Sequence, residues 1–291
     1  MLKRLMLATV LAVFPAFAFA NDTAPIEAPR TTPPATATPR AASGPQNTIQ
    51  LVWTVFLGGI NLGTVGIKSS FSGDTYSAVS RLKTAGVVNS FYESVIDASS
   101  VGTVAGNTIL PQKYDSNYNG EKSDQKVSLA YAADGIELFA NPPYDVNRFP
   151  VTEEQQRGTV DPLSGIVYAL AGISVTPQKP CGDTVRVFDG RRRYDVDLRY
   201  VGKDNVSSSG GYSGPTIKCL MQYKQVAGFK PNLTKNNALP AITVWFATFE
   251  TKDQGPVKSF IVPVKLMCET PFGAAIAHAR KIIVDGEQKS G

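Results

Sequence analysis

Between Thr48 and about Asp285 the chain is written in short runs of Val, Ile, Thr, Tyr and Phe, interrupted every eight to twelve residues by Gly, Asn, Asp or Pro. That rhythm predicts strands joined by tight turns. The gaps are too short for the crossover helices that parallel strands require, so the sheet is expected to be antiparallel. "IQLVWTVFLGGINLGTVGIKSSF" reads as two strands about Gly58 and Gly59, while "DTYSAVSRLKT", "QKVSLAYAADGIELFA", "PTIKCLMQYKQVAGF", "AITVWFATFE", "SFIVPVKLM" and "GAAIAHARKIIVDG" supply more. About a dozen strands result. A sheet that wide curls, splits or closes on itself, and the lack of a fixed repeat sets aside propellers and solenoids. The expected fold is all-β: one large curled sheet forming an open or spiral barrel.

One segment breaks the period. In "DPLSGIVYALAG", Asp161 suits an N-cap, Pro162 the first helical position and Gly172 the stop, with Leu163, Ile166, Val167 and Leu170 recurring at helical spacing. This predicts a short amphipathic helix over 162–171, packed in or over the concave face of the sheet. Gly165 marks a place where another element comes close.

The amino terminus has a different texture. Residues 1–20 begin with Lys3 and Arg4, run apolar for 15 residues from Leu5 to Phe19, and end Ala18-Phe19-Ala20. That is the form of a cleaved signal peptide, and the run is short of the roughly 20 residues a spanning helix needs. Residues 21–47 hold six prolines and almost nothing large and apolar, so they read as a disordered linker. Residues 286–291 read as a disordered tail. The expected product is a single exported domain over 48–285, placed in the periplasm, with no spanning segment in the mature chain and a monomer as its simplest state.

Removing the leader takes two of 29 basic residues and none of 24 acidic ones, leaving 27 against 24. Charges of both signs are interleaved along the chain, which does not suggest a nucleic-acid binder. Cys181, Cys219 and Cys268 are spaced by 38 and 49 residues, unlike any CxxC-type motif, and His278 is the only histidine. No metal or other cofactor is called for. One disulfide and one spare thiol is the simplest count in an oxidising compartment. Cys181 with Cys219 is favoured because each stands beside a predicted strand; closing that loop stabilises by up to ~4 kcal/mol.

The stretch "VFDGRRRYDVDLRY", 187–200, reads as a hairpin about a two-residue turn at Asp189-Gly190. Period two then puts Tyr194, Val196, Leu198 and Tyr200 on one face and Arg193, Asp195, Asp197 and Arg199 on the other, solvated one. Arg192 shares the face of Tyr194. It either snorkels out at the strand end or points into a cavity, where it would meet an anionic group.

"DPLSG" (161–165), a cysteine ahead of "VFDGRRRYDVDLRYVG" (187–202), a second cysteine in "CLMQYKQVAGFKP" (219–231), and a late tryptophan strand leading to "TPFGAA" (270–275) together resemble the exported proteobacterial family catalogued as domain-of-unknown-function 3108. The resemblance spans roughly 48–285. It implies a periplasmic, β-rich protein with a Cys181–Cys219 disulfide, and it carries no catalytic residue.

Catalytic constellations are hard to assemble. Ser164 would need His278 as its base, yet it lies within the helix and not on a strand-to-helix elbow. Asp195 and Asp197 have a spacing open to glycosidase chemistry, but Arg193 and Arg199 flank them and would hold both ionised. The reading that results is a non-enzymatic envelope protein contributing to envelope integrity. Its concavity would be lined by Trp53, Tyr194, Val196, Leu198 and Trp245, with Arg192 as anchor for the anionic end of a lipid, peptide or other amphipathic guest. The alternative is an envelope polysaccharide or peptidoglycan hydrolase using carboxylates.

Overall fold

The computed structural model describes residues 46–86, 93–121, 123–208, 210–230, 240–252 and 255–289. The expected leader and nearly all of the expected linker lie outside the described residues. The strands are β1 (Gln46–Leu57), β2 (Ile60–Ser72), β3 (Thr75–Thr84), β4 (Ser94–Ala105), β5 (Thr108–Gly120), β6 (Ser123–Ala132), β7 (Gly135–Asn141), β8 (Val185–Phe188), β9 (Arg193–Val206), β10 (Gly214–Ala227), β11 (Ile242–Glu250), β12 (Ser259–Thr270), β13 (Gly273–Val284) and β14 (Glu287–Gln288). Two helices, α1 (Glu153–Gln156) and α2 (Pro162–Leu170), interrupt them between β7 and β8.

The strands form one 14-stranded sheet in the order β7-β6-β5-β4-β3-β2-β1-β13-β12-β11-β10-β9-β8, with β14 paired to β13. All of its named strand pairs are antiparallel, as the short gaps dictate. The alternation is regular: along β1, Ile49, Leu51, Trp53, Val55 and Leu57 are buried while their neighbours are not. Helix α2 touches β3, β4 and β5 on one wing of the sheet and β12 and β8 on the other. Strands that far apart in the order reach one helix only if the sheet curls around it. Bulges at Trp53, Phe56 and Gly102 supply local bends of the kind such curling needs.

The barrel is not closed by hydrogen bonds, because β7 and β8 end the sheet. The β8–β9 turn spans the gap instead: a side chain at Gly190 (φ 93°) would come within 2.9 Å of Val127 and 3.0 Å of Leu138. Gly165 likewise has Val185 and Val187 of β8 against it, the close approach its position implied. The sheet begins and ends differently from expectation. Gln46 and Asn47 already belong to β1, with Asn47 buried and accepting from the amide of Val257. At the other end Glu287 and Gln288 turn back onto Val284 and Ile283. The Asp285-Gly286 pair, both at positive φ, makes that reversal possible.

Candidate functional site

The start of α2 is where the barrel interior becomes polar. Asp161 Oδ1 accepts from the amides of Leu163 (3.0 Å) and Ser164 (2.8 Å), which is the N-cap predicted from Asp-Pro. Its Oδ2 accepts from the hydroxyl of Ser100 on β4 at 3.1 Å and from that of Ser164. Ser164 Oγ also meets Ser100 Oγ at 2.8 Å and Tyr76 Oη of β3 at 2.6 Å. Asp161, Ser164, Ser100 and Tyr76 are all buried. Burial pushes the Asp161 carboxyl up to about 6, against the opposing pull of its hydrogen bonds from Ser164, Ser100 and Leu163. Burial, with the nearby Asp161 charge, pushes Tyr76 up to about 12. These bonds seat the helix on β3 and β4. They also occupy Ser164, and His278 lies on the outer face of β13 beside Ser208 (3.4 Å), so no Ser-His-acid triad assembles.

The hairpin of "VFDGRRRYD" departs from the two-residue turn expected of it. Phe188 pairs with Arg193, leaving Asp189 to Arg192 as a four-residue loop. Asp189 causes this by collecting the amides of Arg191 (2.9 Å) and Arg192 (2.6 Å) on one carboxylate oxygen, a local bond that competes with the tighter turn. Burial raises its pKa and the Arg192 charge pulls the other way.

The arginines then fall in unexpected places. Arg192 does not snorkel out; it is 8% exposed, with its guanidinium 5.6 Å from the ring centre of Phe229. Arg191 lies over Tyr144 at 5.4 Å. Arg193, assigned to the solvated face, is 3% exposed. It donates to Asp195 (2.6 Å), to the Tyr194 carbonyl (2.6 Å) and to the Gln155 carbonyl of α1 (3.1 Å), so its burial is covered by bonds. Tyr194 is buried as period two requires and packs on Tyr223 at 4.6 Å, whereas Val196 and Leu198 are half-buried and Tyr200 is exposed.

The proposed concavity is occupied. Trp53 is inside, its indole N–H donating to the Pro263 carbonyl at 2.7 Å. Trp245 is buried, at 6% exposure, but on the other side of the sheet. Val244 pairs with Cys219 and Leu266 on the core side, and Trp245, one residue on, faces the opposite side between Lys218 and Lys265, whose ammonium groups lie 5.3 and 4.7 Å from its ring centre. Its N–H donates to Asp204 at 2.9 Å. Both phases of "AITVWFATFE" carry apolar residues, so the alternation alone is ambiguous there. Beside the Cys181–Cys219 disulfide lies a cleft lined by Tyr168, Val185, Leu198, Phe246 and Ile261, whose volume of about 20 Å³ admits little more than one water.

The carboxylates singled out for hydrolysis are engaged elsewhere: Asp195 with Arg193, and Asp197 accepting from the Thr184 hydroxyl at 2.8 Å. Cys268 is a free, buried thiol whose pKa is raised by burial and by Glu269. Among the described residues no group of three or more His, Cys, Asp or Glu is placed to hold a metal. Among them, too, no helix is long and apolar enough to cross a membrane.

Residues 51–280 match the family described as "Protein of unknown function (DUF3108)". The chain belongs to this family. No curated protein matches it. Among solved structures, the crystal structure of a beta-barrel-like protein of domain of unknown function DUF1849 from Brucella abortus covers 82% of this chain and 97% of its own, at 8% identity and a TM-score of 0.48.

Two of the segments that resemble the DUF3108 family, "DPLSG" and "FDGRRRYD", thus each hold an aspartate, buried at 161 and half-buried at 189, that gathers two backbone amides on one carboxylate oxygen. Sequence reasoning found the cap at Asp161 but missed Ser100, which donates to Asp161 from 61 residues away, and Tyr76, which meets Ser164 from 88 residues away. Nothing local marks either residue as a partner; each is one small or aromatic side chain on the inward phase of its strand.

Proposed function

We propose that this DUF3108 protein is an exported, non-enzymatic envelope protein with a structural or interaction role. The observation that carries the reading is the occupation of the concavity by α2, seated through hydrogen bonds of Asp161 and Ser164 to β3 and β4. The cleft beside the disulfide, about 20 Å³, is far smaller than the several hundred Å³ a lipid-sized guest needs. Carriage inside the barrel, with Arg192 as anchor for the guest, is therefore the weaker form of the reading. Export is supported by the leader-like residues 1–20 and by the Cys181–Cys219 disulfide, which persists in oxidising compartments. The carboxylate hydrolase is the weaker reading, because Arg193 and Thr184 already engage Asp195 and Asp197.

Native mass spectrometry of protein released gently from the periplasm tests this. The expected species is the chain starting at Asn21, lighter by two hydrogens for its disulfide, with nothing bound. A stoichiometric lipid or peptide adduct would overturn it.

A further inference from the structure

Charges that alternate along the chain are sorted by the fold. The five adjacent strands β3, β2, β1, β13 and β12 carry six basic residues (Lys68, Arg81, Lys83, Lys265, Arg280 and Lys281) and one acidic residue, Glu269. All six basic residues lie on the outward phase of their strands. The neighbouring wing β4 to β7 shows the reverse, with Asp97, Asp115, Asp124 and Glu137 against Lys113 and Lys126.

Register aligns the cationic side chains. Lys83, Thr64, Thr54, His278, Lys265, Trp245 and Lys218 are successive cross-strand partners on β3, β2, β1, β13, β12, β11 and β10. At about 4.8 Å per strand this row runs for roughly 30 Å across the convex face. Arg81, Gly66, Val52 and Lys281 form the next row, and Lys68 lies beyond it. Arg81 is paired with Asp97 at 2.6 Å, and Lys218 stands 3.9 Å from Asp204. Among the described residues, Lys68, Lys83, Lys265 and Lys281 have no carboxylate within ion-pair distance. The field shows on His278, whose pKa is lowered by burial and then by Lys265 and Arg280.

We infer that this outer face binds a flexible acidic polysaccharide laid across strands β3, β2, β1, β13 and β12. The inference rests on the interaction role proposed above and names the partner. Threonine hydroxyls at 54 and 64 between the lysines suit a hydroxyl-bearing polymer with spaced anionic groups. A curled sheet meets a flat bilayer along one line, whereas a flexible chain can follow the curve. An anionic membrane would also call for apolar groups to insert. Amid these cations Val79 is the strongly exposed large apolar side chain; Ile60 and Phe272 lie at hairpin tips.

The test uses the untagged mature protein with dextran sulfate as probe, and separately with vesicles containing phosphatidylglycerol. Dextran sulfate should bind at low salt and lose about tenfold in affinity as the screening length falls from ~30 Å to ~8 Å. His278 is the sole histidine, so its imidazole resonance reports on the face directly, and its pKa should rise when the polymer binds. Lys68→Glu with Lys281→Glu should weaken binding about tenfold, while Lys113→Glu with Lys126→Glu, the same change in net charge on the other wing, should alter it less than about twofold. Equal loss in both variants would assign the binding to net charge alone and overturn the proposal. So would absence of binding, preference for the vesicles, or self-association through the acidic wing in place of polymer binding. An adduct in the native mass spectrum would sink the interaction role without touching these outcomes, and failure here would leave that role standing.

Discussion

Asp161 and Asp189 occupy opposite ends of one segment and do the same local job by different means. Each uses a single carboxylate oxygen to collect two backbone amides, Leu163 and Ser164 in one case, Arg191 and Arg192 in the other. Burial raises both pKa values. Behind Asp161, however, stand only the hydroxyls of Ser100, Ser164 and Tyr76, whereas Asp189 faces the charges of Arg191 and Arg192. A buried carboxylate can be tolerated by taking up a proton or by acquiring a counter-charge. The helix seat surrounds its carboxylate with hydroxyls and takes up a proton only below about pH 6, whereas near the hairpin's carboxylate the arginine charges oppose the rise that burial causes.

Substitutions should separate the two. Asp189→Ala removes the acceptor that holds the amides of Arg191 and Arg192 and should lower stability in urea by about 2 to 3 kcal/mol. A loss under about 1 kcal/mol would show that the loop keeps its shape without those bonds. Next in size is a pH effect at Asp161. Its folded pKa of about 6 lies above the unfolded value near 3.9, so its contribution is complete below pH ~4 and is lost as pH rises through ~6. Between pH 4 and 7.5 this amounts to on the order of 2 kcal/mol, and Asp161→Asn should flatten that part of the stability profile. An unchanged slope would mean that the hydroxyl cage keeps the carboxylate at its ordinary pKa.

Asp161→Ala removes the cap as well as the charge, and should be less stable than Asp161→Asn by about 1 to 2 kcal/mol at neutral pH. Parity of the two variants would deny the cap any part in seating α2. The smallest change is Ser100→Ala, expected to cost about 1 kcal/mol at neutral pH. Because one bond to the ionised carboxylate is lost, the midpoint of the pH profile should also move upward; no movement would remove Ser100 from the network.

Features encoded within a few residues were legible beforehand. The cap at Asp161 acts over three positions, the apolar stripe of α2 over seven, and the inward phase of Trp53 and Tyr194 over two. The hairpin at Asp189-Gly190 was legible as a reversal and misjudged in length, because the Asp189 side chain competes for the amides that a shorter turn would leave free. Trp245 was misplaced because both phases of its strand are apolar, and only the cross-strand register with Lys218 and Lys265 decides between them.

By itself, then, the chain determined an antiparallel all-β domain with one capped helix, since strand period, turn chemistry and N-capping are interactions among near neighbours. Only the tertiary structure decided that Arg193 is buried, that Asp161 meets Ser100 while Ser164 meets Tyr76, and that positive charge gathers on the middle strands of the sheet. Those outcomes depend on which strands lie side by side. Pairing such as β1 with β13, which joins Trp53 to Ala279, is set by the closure of the whole sheet and leaves no mark in a short window of sequence.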